Sequence, residues 1–216
     1  MAAETLSERI LRENACILQA MVNHRFVKDI KSDALGKAVF DRYLVYEAAF
    51  VDTAISIFAL AVAKAKNIKQ KRWLAAVVVA LANGQMTYFE RTFASRGIDP
   101  SSFDTDTSAV RNFCSGMLDV ANEGEFLDIV AAMFAAEWMY WTWSKEASSC
   151  HISDPLLKEW VAMHVDQAFA DQAMWLKDQL DIAGEQGLHE DLCARLSSIF
   201  GHAMQLEIHF HDAPYL

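Results

Sequence analysis

Apolar residues recur at helical spacing along almost the whole chain, and this periodicity constrains the fold more than any other feature. The 216 residues include only 3 Pro and 8 Gly. Alternating runs rich in Val and Thr, which favour strands, are few. The sequence therefore predicts an all-α fold. Because the connections between predicted helices are short, we expect neighbouring helices to pack antiparallel in a single-domain helical bundle over residues 1–216.

Start and stop signals divide the chain into predicted helices. Thr5 and Glu8 form a capping-box pattern at the start of the first helix. Asp154, followed by Pro155, marks the start of another. The stretch 97–106 is rich in Gly, Pro, Ser and Asp, and it predicts a loop. The predicted helices cover about residues 5–23, 34–65, 70–95, 108–122, 125–147, 155–183 and 188–211.

Charge and cysteine usage narrow the class of protein. The net charge is −10, with no basic stripe, so the sequence predicts no nucleic-acid binding. Cys16, Cys114, Cys150 and Cys193 form no CxxC pair, which favours reduced thiols, several of them buried. The N-terminus lacks the basic and apolar regions of a signal peptide, and apolar runs such as 73–82 are too short to span a bilayer. We therefore expect a cytoplasmic protein with no membrane contact.

Three glutamates occupy helix faces that are otherwise apolar. Glu47 is the only charge on a stripe of the second predicted helix, and Glu207 is the only charge on a stripe of the last. The segment 126–143 is apolar almost all round, which is typical of a helix buried in a bundle, and Glu137 lies in its middle. A buried carboxylate must be paired, hydrogen-bonded, protonated or facing a polar cavity.

Two interpretations follow for these carboxylates. Each could pair with a buried Arg, His or hydroxyl and be purely structural. Alternatively, Glu47, Glu137 and Glu207 converge, and the interaction separates their pKa values into those of an acid and a base. Tyr140 and Trp141 share the side of Glu137, so a convergent site would have an aromatic lining suited to a flat aromatic ligand.

Histidines provide weaker signals. His24 could ligate a metal or haem, although such a residue is more often in the core or a helix cap. His164 lies on one face with Trp160, and the same interpretation applies. No ExxH motif occurs, which argues against a ferritin-like di-iron site. No Walker, GxGxxG or helix-turn-helix pattern is present either. The sequence predicts no metal and no cofactor.

Several blocks of sequence resemble one known family when taken in order. The chain has HRFV at 24–27, FDRYLVYE at 40–47, the aromatic-rich helix at 126–143, WVAMH at 160–164 and EIHF at 207–210. These resemble blocks of the TenA/thiaminase II family, including H-P-F-V, F-x-x-Y-L-x-Q-D, P-C-x-W-x-Y and a C-terminal E-x-x-F. The resemblance covers nearly the whole chain, and it implies a haem-oxygenase-like helical fold.

The resemblance also implies roles for individual residues. The family's C-terminal catalytic acid corresponds to Glu207, and its pyrimidine-binding Asp corresponds to Glu47. Two substrate-facing Tyr residues correspond to Phe50 and Phe113, and the Tyr of P-C-x-W-x-Y is kept as Tyr140. We expect further substrate contacts from Tyr46, Trp141 and Phe210.

The nucleophile is where this chain departs from the family. The family's P-C pair is replaced by Ala135 and Ala136, and alanine cannot form a covalent adduct. Glu137 follows at once, which resembles a second branch of the family that lacks the Cys and carries a nearby Glu. Members of that branch resemble aminopyrimidine hydrolases of thiamin salvage, whose substrates are 5-aminomethyl-pyrimidines or their N-formyl forms.

A mechanism follows from this resemblance. Glu47 would hydrogen-bond the amino edge of the pyrimidine, while Phe50, Phe113 and Tyr140 would sandwich its ring. Glu207 would protonate the leaving amine as general acid, and Glu137 would activate water as general base. The resemblance further implies a homo-oligomer, either a tetramer or a dimer.

Two alternatives remain open at the level of sequence. The chain could be a non-catalytic protein that binds a pyrimidine or thiamin, or a regulatory protein, since family members are often labelled transcriptional activators. Its acidic charge argues against direct DNA contact. It could also carry out haem or quinone-type oxidative chemistry, which would need His24 or another His as a ligand.

Overall fold

The computed structural model describes residues 4–216, and within that range all regular structure is helical. The predicted all-α class is therefore confirmed. The α-helices are α1 (Leu6–Glu13), α2 (Ala15–Val22), α3 (Arg25–Lys31), α4 (Lys37–Lys64), α5 (Ile68–Val79), α6 (Met86–Arg96), α7 (Ser108–Glu123), α8 (Phe126–Ala147), α9 (Pro155–Met163), α10 (Gln167–Glu185) and α11 (Glu190–Asp212). A π-helical segment at Ala80–Gln85 joins α5 to α6, and short 3-10 turns lie at Pro100–Ser102 and Ala213–Tyr215.

The predicted first helix is two helices in the structure. Its capping box is confirmed: Thr5 Oγ1 accepts a hydrogen bond from the Glu8 amide at 3.3 Å, and the Glu8 carboxylate accepts one from the Thr5 amide at 2.9 Å. The prediction of one helix is wrong, because the helix is broken at Asn14. The Asn14 side-chain amide donates to the Ile10 carbonyl at 3.0 Å and to the Ser197 carbonyl at 3.1 Å. Such side-chain bonds to the backbone compete with helix continuation.

The predicted helix over 155–183 is also divided. Its start is confirmed, since the Asp154 carboxylate caps the first turn of α9. The prediction of a continuous helix is wrong, because α9 ends before His164 and α10 begins after Asp166. Asp166 accepts a hydrogen bond from the Phe169 amide at 2.7 Å and so caps a new helix.

The described chain forms two compact units, each built from two chain segments. Unit 1 contains 127–208 and the described part of 1–34, and unit 2 contains 35–126 and 209–216. In unit 1, Phe134 of α8 packs against Phe200 of α11 with ring centroids 5.4 Å apart. Also in unit 1, the Ser7 hydroxyl donates to Asp181 at 2.9 Å and ties α1 to α10.

In unit 2, α4 packs against α5 and α7. The buried Asp41 of α4 pairs with Arg96 of α6, whose guanidinium lies 4.9 Å from the centre of the Phe40 ring. Lys64 donates to main-chain carbonyls at the end of α7, including that of Ala121 at 2.6 Å. Among the described helices, α4 alone is long and apolar enough to cross a membrane, and half of its most apolar stretch is buried within the protein.

The cysteines differ from the sequence-based expectation. None of Cys16, Cys114, Cys150 and Cys193 is in a disulfide, as expected. The prediction that several are buried is wrong, because Cys16 is exposed and the other three are partly exposed.

Candidate active site

Glu137 is a buried carboxyl group whose one hydrogen-bond partner within residues 4–216 is a side-chain amide. It lies on α8, the side chain is only 8% exposed, and Oε1 accepts a hydrogen bond from Gln172 Nε2 at 2.8 Å. Burial raises the pKa of Glu137 from its ordinary 4.5 to about 7, against the opposing effect of the Gln172 bond. The sequence-based alternative, a structural pair with Arg, His or a hydroxyl, is therefore not what the structure shows at this position.

Tyr140 follows Glu137 by one turn of α8 and contacts His164. Their ring centroids are 4.9 Å apart and the planes are inclined by 27°. His164 Nδ1 lies 2.8 Å from the Trp160 carbonyl oxygen. Because a carbonyl only accepts, this nitrogen carries the hydrogen and Nε2 carries the lone pair. Burial lowers the pKa of His164 to about 4, so the imidazole is neutral at physiological pH.

His164 and Gln172 are the residues that sequence reasoning missed as parts of this site. Both depend on the break between α9 and α10. Phe169, one turn before Gln172, has its ring centroid 4.7 Å from that of His164. The cap signal of Asp166 ahead of Phe169 was the only feature of the sequence that could have indicated the break.

Trp141 also lies one turn after Glu137 on α8, but its ring contacts other residues. Its ring is partly exposed and sits 5.1 Å from that of Trp138. Lys145 Nζ lies 3.5 Å from the Trp141 ring centre, a cation–π contact. Within unit 1, these contacts place the Trp141 ring beside a solvated lysine.

The other two glutamates are buried as the apolar stripes predicted. Glu207 on α11 has no exposed surface, and Glu47 on α4 is 3% exposed. They belong to different units, Glu207 to unit 1 and Glu47 to unit 2. Asp128 provides a contrast within α8, because this buried carboxylate pairs with Arg195 at 3.1 Å. Because an arginine matches its charge, Asp128 fits the structural interpretation of a buried acid.

Three predicted aromatic residues form one cluster in unit 2. The ring centroids of Phe50 and Phe113 are 4.1 Å apart, those of Phe113 and Phe210 are 4.7 Å apart, and those of Phe50 and Phe210 are 6.4 Å apart. A ring held between two others needs about twice a van der Waals thickness, so no pyrimidine fits between Phe50 and Phe113 in this arrangement. The three rings instead pack against one another, and we call this cluster the aromatic wall. Nearby on α4, burial raises the pKa of the Tyr46 hydroxyl.

An open pocket of about 350 Å³ lies on unit 2 between α4 and α7. Its lining includes Thr53, Asp106, Arg111 and Cys114, and none of the predicted site residues. Arg111 pairs with Asp106 at 3.0 Å, so its charges are already matched.

His24 adopts the capping role that was one of its two interpretations. Its Nδ1 accepts a hydrogen bond from the Phe26 amide at 3.1 Å at the start of α3. Between residues 4 and 216, no group of three His, Cys, Asp or Glu side chains is arranged to hold a metal ion.

Comparison with solved structures defines the class of fold. A TenA homologue from Pyrococcus furiosus matches with a TM-score of 0.89 at 22% identity, over 97% of this chain and 100% of that one. A domain with a heme oxygenase-like fold from Shewanella denitrificans matches with a TM-score of 0.75 at 13% identity, over 96% of this chain and 90% of that one. The protein is thus an all-α protein with the heme oxygenase-like fold.

Sequence comparison identifies the family. The model of the TENA/THI-4/PQQC family matches residues 12–215, so the chain belongs to that family. An aminopyrimidine aminohydrolase from Halalkalibacterium halodurans is 28% identical over 204 residues, which cover 92% of this chain and 90% of that protein.

Proposed function

We propose that this protein hydrolyses an aminopyrimidine breakdown product of thiamin, either a 5-aminomethyl-pyrimidine or its N-formyl form. The observation that carries the proposal is Glu137, a buried carboxyl group whose pKa is raised to about 7. A general acid or base works best when its pKa lies near the working pH. The similarity to an aminopyrimidine aminohydrolase supports the choice of substrate class.

The proposed reaction assigns one role to each glutamate. Glu47 holds the amino edge of the pyrimidine. Glu137 takes a proton from water, whose oxygen attacks the exocyclic methylene carbon. With the 5-aminomethyl substrate, the carbon–nitrogen bond breaks and Glu207 gives its proton to the leaving nitrogen, so that an alcohol and ammonia are formed. With the N-formyl form, the water oxygen attacks the formyl carbon instead, the formyl carbon–nitrogen bond breaks with the same proton transfer from Glu207, and formate and the 5-aminomethyl-pyrimidine are formed. The proton on Glu137 returns to Glu207 through solvent. With Ala135 and Ala136 at the family's nucleophile position, no covalent cysteine adduct is involved.

Two groups of aromatic residues supply the proposed contacts with the pyrimidine ring. The wall of Phe50, Phe113 and Phe210 offers a stacking surface for a pyrimidine, and Tyr140 offers a second ring. Tyr46 and Trp141 stay proposed contacts. We also propose that the protein works without a metal or cofactor, as a homo-oligomer in the cytoplasm and without nucleic acid or membrane partners.

Turnover of the two pyrimidines by wild type and by Glu137→Gln and Glu207→Gln tests the proposal. Each variant should lose about 10²- to 10⁴-fold in kcat, because each removes a proton-transfer group. Glu185→Gln, the same change at an exposed position of α10, is the matched control and should keep full activity. Full activity in Glu207→Gln would overturn its role as the acid.

A pyrimidine-binding or regulatory protein is the alternative outcome of the same experiment. In that case, the pyrimidine would raise the melting temperature of the wild type, and no alcohol, ammonia or formate would be released. Such a result would replace hydrolysis by binding as the function of this chain.

A further inference from the structure

Gln172 bonds to one oxygen of Glu137 and leaves the other oxygen without a partner in the described chain. Gln172 Nε2 donates to Oε1 at 2.8 Å, and Oε2 receives no hydrogen bond from residues 4–216. The side chain is only 8% exposed. Oε2 is not one of the fully buried side-chain oxygens that lack a partner in the described chain, so it keeps some accessible surface and can be reached by water or a ligand. The two oxygens of Glu137 are therefore chemically distinct.

We propose that Gln172 is a positioning residue for the hydrolysis: it fixes Oε1 of Glu137, so that Oε2 is the oxygen that takes the proton from the attacking water. This inference rests on the proposed function, since it assigns a task to an oxygen of the proposed base. It adds a residue that belongs to none of the sequence blocks typical of the family.

The chemistry of the amide makes this assignment directional. The Nε2 group of Gln172 only donates, so Oε1 accepts and is not the site of the transferred proton while that bond is made. The acid form of Glu137 then carries its hydrogen on Oε2. A single fixed bond also limits rotation of the carboxyl group, and catalysis is sensitive to small displacements of a reacting atom.

The same bond helps Glu137 to ionise near neutral pH. Burial raises the pKa of Glu137, and the Gln172 bond, which stabilises the charged form, lowers it. Within residues 4–216, burial and the Gln172 bond are the two causes of the shifted pKa of Glu137. The titratable groups on the elements that pack against α8 in unit 1 include His164, Asp171, Arg195 and Glu207.

The position of Gln172 is set by the start of α10. Asp166 caps this helix, which begins at Gln167, and Gln172 lies in the second turn. Phe169, one turn earlier on the same face, packs against His164. The helix break thus brings an amide from α10 to a carboxyl group on α8.

The experiment compares Gln172→Met with Gln167→Met. Methionine is of similar length and has no donor. Gln167 lies on the same helix and donates to the exposed Asp171 carboxylate at 2.7 Å, so its substitution removes a like bond away from the site. Two quantities are measured: the titration of the Glu137 carboxyl carbon by NMR in ligand-free protein, assigned with Glu137→Gln, and kcat as a function of pH.

In Gln172→Met, we expect the Glu137 titration to move to higher pH and kcat at pH 7 to fall about tenfold, as for loss of a hydrogen bond to a charged group. KM should change little, and the loss should shrink towards pH 9, where Glu137 is ionised in both proteins. Gln167→Met should match wild type in both measurements.

The outcomes separate this inference from the proposed function. An unshifted titration in folded Gln172→Met overturns the positioning role, whether or not the wild type hydrolyses a pyrimidine. A loss of kcat that is equal at every pH, with an unshifted titration, would show a merely structural role and also overturns it. A shifted titration in a wild type that turns over no pyrimidine supports the effect of Gln172 on Glu137 and rejects the hydrolase function instead.

Discussion

The imidazole of His164 stacks on the phenol ring of Tyr140, with centroids 4.9 Å apart, one helical turn along α8 from Glu137. This part of unit 1 thus contains two buried titratable groups with opposite shifts. Burial raises the pKa of Glu137 to about 7 and lowers that of His164 to about 4. In both groups burial disfavours the charged form. Between pH 4 and 7 the folded protein therefore keeps both side chains neutral.

Glu137→Gln should change how stability depends on pH. The raised pKa of folded Glu137 means that its contribution is fully present below pH 4.5 and is lost as pH rises to about 7. Because the shift corresponds to about 3 kcal/mol, the variant should gain up to that amount of unfolding free energy over wild type between pH 4.5 and pH 8. Urea unfolding at a series of pH values measures this difference. A difference that is the same at every pH would contradict the raised pKa.

His164→Phe should show the opposite change. The depressed pKa of folded His164 gives stability that is present above pH 6.5 and is lost as pH falls to about 4. As pH increases from 4.5 to 6.5 in wild type, His164 raises the unfolding free energy and Glu137 lowers it. Each change amounts to about 3 kcal/mol, so the two offset each other in this range. Without His164, the unfolding free energy should fall steadily as pH rises through this window. Phenylalanine keeps the stacking on Tyr140.

Two further variants serve as controls for this pH dependence of the unfolding free energy. His202→Phe makes the same substitution at an exposed position of α11 and should leave the wild-type profile unchanged. The double variant Glu137→Gln with His164→Phe removes both titrating groups. Its unfolding free energy should therefore again be nearly constant between pH 4.5 and 6.5. A double variant that keeps the slope of either single variant would show that other groups dominate in this range.

Local signals predicted a large part of this fold. The helical period, the capping box at Thr5 and the start at Asp154 depend on residues close in sequence, and all three are confirmed. The apolar stripes predicted the burial of Glu47, Glu137 and Glu207 because a charge on such a face has no other place to lie.

The sequence did not predict the breaks or the partners. Asn14 ends α1 by bonding to Ile10 and to the distant Ser197, and nothing near Asn14 signals that choice. Gln172 reaches Glu137 across 35 residues of sequence. Its role depends on the direction that α10 takes after the cap at Asp166, which is a tertiary property. Helical periodicity alone predicted that the helix continues through residues 164–166.

Asp166→Ala should weaken both stability and the proposed site. The carboxylate caps α10 through its bond to the Phe169 amide at 2.7 Å, and loss of such a cap costs about 0.5–2 kcal/mol. Because α10 carries Phe169 and Gln172, we expect kcat for the pyrimidine to fall as well, which stopped-flow or endpoint ammonia assays would measure. Asp178→Ala, an exposed position of the same helix, should change neither quantity. Equal effects of the two substitutions would contradict the importance of this cap.

Phe113→Ala should be strongly destabilising because its ring completes the aromatic wall of unit 2. Phe113 is 1% exposed and lies 4.1 Å from the Phe50 ring and 4.7 Å from the Phe210 ring. Truncation of a buried Phe costs about 3–5 kcal/mol, part of it from the cavity that remains. Phe103→Ala, in the partly exposed loop before α7, should cost less than half as much. Urea unfolding of both variants at one pH makes the comparison, and similar losses would show that the three rings do not act as a packed unit.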